Sequence, residues 1–229
     1  MAQQHINPII DTGLELSVSY NVPSDAIVGI LYNSLRQVND GVKLHKLPVA
    51  NIPDEIRKMD TNLKDKPTHQ LVCTGGFVQI GENILCIGGR MPYISWGVFK
   101  EFIEQIIRLL HDNKLIGNIK NIKLRYLNFF KDNIFENINL MISMKGVDRL
   151  CSGSTVFRTE IPCNNEMLGV LQITNGVHVS NKSLGLDNNG SLIDIIIIKN
   201  HVSLPISSDT IDAMHQEVED LFINLTRKD

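Results

Sequence analysis

The sequence predicts an α+β fold: an antiparallel β-sheet of about seven to nine strands with three main helices packed on it. Three observations carry this. Apolar residues recur at helical spacing in three stretches, after Pro23, after Ser95 and after Ser207. Beyond Asp132-Asn133 the chain is almost all short apolar runs of strand character. Those runs are joined by brief Asn/Gly turns, which favour antiparallel neighbours. No linker divides the chain, so residues 1–229 read as a single domain. An N-terminal β-α-loop-β-β-α part runs to about 118, and an antiparallel meander plus terminal helix follows from about 119.

Residues 1–8 read as a loose arm. Leu14, Leu16, Val18 and Tyr20 alternate with Glu15, Ser17 and Ser19, the period of a half-buried strand. Asn21 and Pro23 break it, and a helix follows with Ile27, Ile30, Leu31, Leu35 and Val38 as its apolar stripe. Gly41 ends that pattern. Residues 42–69 read as surface loop with a short helix at 53–60. Residues 70–80 read as one strand in which Gly75-Gly76 marks a bulge or bend, and a second strand is expected at 84–88. Ser95 is a candidate N-cap for a helix with the stripe Phe99, Phe102, Ile103, Ile106 and Leu110. Its wet face includes Glu104 and Arg108 as an i,i+4 pair. The strand at 119–130 places Ile122, Leu124, Tyr126 and Asn128 on one face and Lys123, Arg125, Leu127 and Phe129 on the other. Further strands are expected at 138–144, 154–161, 167–174, 177–180 and 191–199, with turns at Asn175-Gly176 and at Asn188 to Gly190. The last helix shows Ile211, Met214, Val218, Leu221, Phe222 and Leu225 inward and Glu217, Glu219 and Asp220 outward.

The formal charge of −3 argues against a generally basic nucleic-acid binder. The lysines between 43 and 66 are interrupted by Asp54, Glu55, Asp60 and Asp65, which reads as a solvated face. The start of the chain has no signal-peptide pattern, and no apolar run approaches the length of a membrane helix. Cys73, Cys86, Cys151 and Cys163 contain no C-x-x-C pair and read as four reduced, mostly buried thiols of a cytoplasmic protein. Metal and phosphate motifs are missing: there is no H-E-x-x-H, and neither Gly75-Gly76 nor Gly88-Gly89 belongs to a P-loop or a G-x-G-x-x-G. No cofactor is implied.

Three segments resemble a known family: QIGENILCIGG with PYISW-x-x-FKEFI and LRYLNFF, then LIDIIII, then AMHQEVEDLFINLT. From Pro8 to Thr226 the chain is similar to the sporadically distributed, uncharacterised family of bacterial and archaeal proteins with an LRYIN-type strand motif. The matching positions are Tyr93, Trp96, Phe99, Leu124, Arg125, Tyr126, Asn128, Asp194, His215, Phe222 and Thr226. The chain departs from that pattern at Lys120 and Lys123, where an arginine is usual, at Ile196, where a second acid stands, and at Met214, where leucine is common. The resemblance implies no reaction. Its patchy distribution suggests toxin–antitoxin or phage-defence cargo.

Candidate binding or structural residues are therefore Tyr93, Trp96, Arg125, Tyr126, Asn128, Asp194 and His215; no catalytic set stands out. Arg125 in apolar company needs a carboxylate or several carbonyl partners, and with Asp194 it reads as a structural ion pair between strands more readily than as a functional charged pair. Trp96 and His215 each read more readily as packing residues than as a binding aromatic and a general base. The expectation is a non-enzymatic binding protein with a protein partner or a second copy of itself, antitoxin- or immunity-like or a defence component. The alternatives are a nucleic-acid or nucleotide binder, and an enzyme with a dispersed Arg125, Asp194 and His215 site.

Overall fold

The computed structural model describes residues 7–143, 145 and 151–227. The strands are β1 (Ile9–Tyr20), β2 (Lys43–Lys46), β3 (His69–Cys73), β4 (Gly76–Ile80), β5 (Ile84–Gly89), β6 (Ile116–Lys131), β7 (Thr155–Cys163), β8 (Met167–Asn181) and β9 (Leu186–Asn200). The helices are α1 (Ser24–Val38), a short α2 (Asp54–Met59), α3 (Trp96–Asp112) and α4 (Ser208–Thr226). All nine strands form one sheet in the order β2-β3-β4-β5-β1-β6-β9-β8-β7, and every pairing is antiparallel. The α+β architecture follows.

The order conceals a repeat. Outward from the centre, β1 is followed by β5, β4 and β3, while β6 is followed by β9, β8 and β7. Each half thus starts with its central strand, lays three antiparallel strands beside it (β3 to β5, or β7 to β9) and ends in a long helix, α3 or α4; the first half carries β2 as an additional edge strand. The two helices even share a register. Ser95 Oγ accepts from Val98 N, and Ser207 Oγ from Thr210 N. Counted from these caps, Phe99, Phe102, Ile103 and Ile106 stand where Ile211, Met214, His215 and Val218 stand. In the first half α1 follows the central strand; after β6 a 3₁₀ turn at Ile134–Glu136 takes that place, and no helix occurs there among the described residues.

The predicted stripe of α3 is buried residue for residue. It shares one continuous core with Leu14, Leu16 and Val18 of β1, Ile122 and Leu124 of β6, Ile193, Ile195 and Ile197 of β9, and Ile211 and Met214 of α4. All these strand residues point to one face, the face the long helices cover. Burying a single large apolar side chain contributes roughly 1.5–3 kcal/mol, so this stripe outweighs any surface ion pair. The expected Glu104–Arg108 pair is replaced by Lys100–Glu104 at 3.7 Å.

Several local expectations are corrected. Residues 70–80 are two strands, because Gly76 at φ 152° turns the chain at Thr74-Gly75. The segment after Gly41 contains β2, an edge strand exposed along its length and flanked by Lys43 and Lys46, which guard a free edge. Residues 138–143 are not a strand; position 144 of that expectation, like most of the N-terminal arm, lies outside the described residues. Asn175-Gly176 is a bulge, not a hairpin turn: Asn175 pairs with Ser191, Val177 with Gly190, and Gly176 at φ 74° is the extra residue. The reason is burial of the Asn175 side chain. Its Nδ2 donates to Gly153 O and its Oδ1 lies 2.9 Å from Ser191 Oγ, which keeps it inside the sheet. The β8–β9 turn comes instead at Lys182–Leu184, closed by left-handed Gly185, and Asn188 to Gly190 continue β9. Glu217, expected to face water, is 9% exposed. Its Oε1 accepts from the Asn164 backbone and amide. The four cysteines are free and half-buried rather than mostly buried. No described helix is long and apolar enough to cross a membrane.

Candidate functional site

Strand alternation divides the seven candidate residues. Tyr126 and Asn128 of β6 point toward the helices, while Arg125 points to the opposite face, left uncovered by the described residues. On the helix side, Tyr93 and Trp96 arrive from the β5–α3 connection and His215 from α4. Together these five line a pocket of about 220 Å³, completed by Asn7, Pro8, Ile9, Val218, Glu219 and Phe222.

Its walls are aromatic. Trp96 and His215 stack with centroids 4.0 Å apart and planes 17° apart. Tyr93 and Tyr126 meet edge-on at 5.7 Å, and their hydroxyls lie 3.1 Å apart. Trp96 Nε1 donates to Asp212 Oδ1 at 3.1 Å, and Lys100 Nζ donates to Asp212 Oδ2 at 2.5 Å. The Lys100 contact, seconded by Trp96, holds the Asp212 carboxyl below the usual range. That exchange anchors the indole between α3 and α4, so Trp96 both packs and lines the cavity. Asn128, 3% exposed, donates its Nδ2 to Ile193 O at 3.3 Å.

His215 occupies the position that Ile103 fills in the repeat, where the partner helix keeps a wholly buried aliphatic group. Its Nε2 lies 3.3 Å from Glu219 Oε1, and its Nδ1 is buried with no hydrogen-bond partner among the described residues. An imidazolium would leave a second N–H unsatisfied there. Burial accordingly pushes the His215 pKa down, against the opposing pull of Glu219 and Asp212. Burial also raises both tyrosine hydroxyls, Tyr126 more strongly than Tyr93. His215, Tyr93 and Tyr126 are therefore neutral at neutral pH, and Glu219, half-exposed at the mouth, is the acidic side chain of the lining.

This has a consequence for stability. The unfolded chain takes up the imidazole proton near the ordinary value of 6.5. The folded chain takes it up only at lower pH, so below about pH 6.5 the unfolded state binds more protons and stability falls with pH, levelling off once the folded state also titrates. His215→Gln should flatten this drop between pH ~7.5 and ~5.5 in thermal melts. An NMR titration placing the His215 ring at or above its ordinary pKa would show that Glu219 prevails over burial.

On the uncovered face, Arg125 Nε and Nη2 donate to Asp194 Oδ1 and Oδ2, both at 2.8 Å. This two-pronged bridge ties β6 to β9 diagonally, since Arg125 lies directly opposite Ile196 and Asp194 opposite Leu127. Ile196 is the position where the resemblance leads one to expect a second acid. The Asp194 bond chiefly holds the Arg125 guanidinium above its ordinary pKa. With side-chain exposures of 41% and 16%, the pair belongs with partly solvated bridges worth about 1 kcal/mol rather than with fully buried ones. His215 sits across the sheet from this pair, so the structure does not bring Arg125, Asp194 and His215 together.

What sequence reading missed is the pairing of sites across β6. It also missed Asp212, Phe222 as a wall, and the acids Asp11 and Glu15 beside Arg125. Among the described residues, no group of three or more His, Cys, Asp or Glu side chains is disposed to hold a metal ion. Fold and site together define a class: a nine-stranded antiparallel α+β protein with an aromatic pocket under one helix and a charged depression on its bare face. No protein-family model matches the chain, and no curated protein does.

Proposed function

We propose that this is a non-enzymatic binding protein whose helix-side pocket takes up one aromatic or apolar group, such as an anchor side chain of a partner protein. The observation that carries this is the convergence of Tyr93, Trp96, Tyr126, Asn128 and His215 on a single cavity. A volume of about 220 Å³ falls below the roughly 300–1,000 Å³ of drug-sized ligand sites. It suits one large side chain, the usual unit of a protein–protein hot spot. The aromatic walls favour a neutral ring, and the two tyrosine hydroxyls with the Asn128 amide offer polar contacts for orientation. A cytoplasmic setting accords with four free cysteines. The motif resemblance supports an antitoxin- or immunity-like role for this protein, or one as a component of a defence system. The uncovered face, where Asp11, Glu15 and Asp194 outnumber Lys123 and Arg125, speaks against nucleic acid there.

Trp96 is the only tryptophan of the chain and forms a wall of the pocket, so its emission reports occupancy. Titration with p-cresol is expected to shift or quench that emission saturably, and Tyr93→Ala is expected to weaken the response. A folded protein whose emission is unmoved by p-cresol up to its solubility limit would remove this reading.

A further inference from the structure

The uncovered face holds a second cavity, of about 400 Å³, at the centre of the sheet. It arises from one transverse row of the ladder. Phe77 pairs with Gly88, Gly88 with Gly13, and Gly13 with Arg125. Two neighbouring strands thus present bare backbone between a phenyl ring and a guanidinium. A Cβ on Gly88 would lie 2.0 Å from the Phe77 ring, so that ring lies across Gly88 and forms one wall. Gly13 is the floor, and a Cβ there would meet only ordinary contacts, Ile87 O at 3.4 Å and Gly88 Cα at 3.9 Å. Nothing in the core requires glycine at position 13; the open floor is what its missing side chain provides.

The charges around the slot are unequal. Asp194 is bound by Arg125, and Glu15 by Lys123 at 2.7 Å. Asp11, beside Gly13 on the row's flank, is left 3.6 Å from Arg125 Nη1, beyond hydrogen-bond distance. Three carboxylates against two cations leave one negative charge, and the Asp11 carboxylate, which accepts from the Thr12 backbone N–H, has lone pairs left for a further donor. Burial accordingly raises its pKa against the opposing effect of Arg125.

We propose that this cavity is a site for a small organic cation with a flat apolar body, an amidinium, guanidinium or aryl ammonium. Its body lies on Gly13 between Phe77 and the Arg125 plane, and its charged end donates to Asp11. The site is independent of the aromatic pocket, from which the sheet separates it.

The probes are benzamidine and its anionic counterpart benzoate, followed by calorimetry and by amide NMR shifts at Gly13 and Gly88. Benzamidine is expected to bind and to move those two amides, and benzoate not to bind. Asp11→Asn is expected to weaken benzamidine about tenfold or more, the scale of one charge-assisted hydrogen bond. Gly13→Val fills the floor with a strand-favouring side chain and is expected to abolish binding with an unchanged or higher melting temperature. If Gly13→Val fails to fold, the Asp11→Asn comparison decides. No benzamidine binding, equal binding of benzoate, or full binding by Asp11→Asn would each overturn the proposal.

Discussion

Gly76→Ala is expected to cost roughly 4 kcal/mol or more, a large part of the stability of a domain this size. Gly76 is held at φ 152°, a region closed to side-chain-bearing residues. A Cβ there would lie 2.1 Å from Gly88 O, the backbone of the neighbouring strand. That oxygen cannot rotate away as a side chain could. Relief would require β4 to part from β5 at the pairs Gly76–Gly89 and Phe77–Gly88. Strain of about 1–3 kcal/mol per forced residue adds to the broken pairing. Urea unfolding is the measurement. A Gly76→Ala midpoint within error of the parent chain would show that this hairpin is not held as described.

Phe102→Ala is expected to cost ~3–5 kcal/mol, toward the upper end of that range for a buried phenylalanine. Phe102 is 4% exposed and belongs to the α3 stripe. Its ring packs directly on the backbone of Gly75 and Gly76; a Cβ on Gly75 would lie 2.6 Å from Phe102 Cδ2. Two residues without side chains cannot lean into the space left by the ring, so the cavity stays open. The same geometry predicts a coupling. Gly75→Ala alone should be costly, because the buried ring has nowhere to go. In the Phe102→Ala background it should be much less so, since the added methyl then enters a void. A double-mutant cycle reads the difference directly, and additive costs would separate the ring from the glycines.

These two sites show how far sequence reasoning reached. The α3 stripe was legible because five apolar residues at helical spacing leave one way to bury them, against the sheet. The Gly75-Gly76 pair was legible as a special point but not as a turn. Its conformation is set by a contact with α3 that lies far along the chain. Asn175-Gly176 failed in the opposite sense. Locally it reads as a hairpin, but a buried partner, Ser191, and the carbonyl of Gly153 hold the asparagine side chain inside the sheet and leave only a bulge. Helical periodicity alone places Glu217 outside; Asn164, from the β7–β8 turn, makes its burial tolerable.

The candidate residues divide along the same line. Period-two alternation in β6 already placed Tyr126 and Asn128 opposite Arg125, so two faces with two chemistries were implicit in the sequence. Which partners each face would meet was not. His215 stacks on Trp96 because the repeat sets α4 beside the start of α3, and Asp11 reaches Arg125 because β1 lies beside β6 at the centre of the sheet. The repeat itself is one of topology: the first half has α1 where a 3₁₀ turn follows β6.

The chain by itself determined its class, its long helices and the face each central strand buries, because these follow from local periodicity and the burial of apolar surface. Only the tertiary structure decided strand order, the two-fold repeat, the pocket and the glycine-floored slot. Each of those depends on which distant backbone comes within about 5 Å of which other, and local spacing carries no information about that distance.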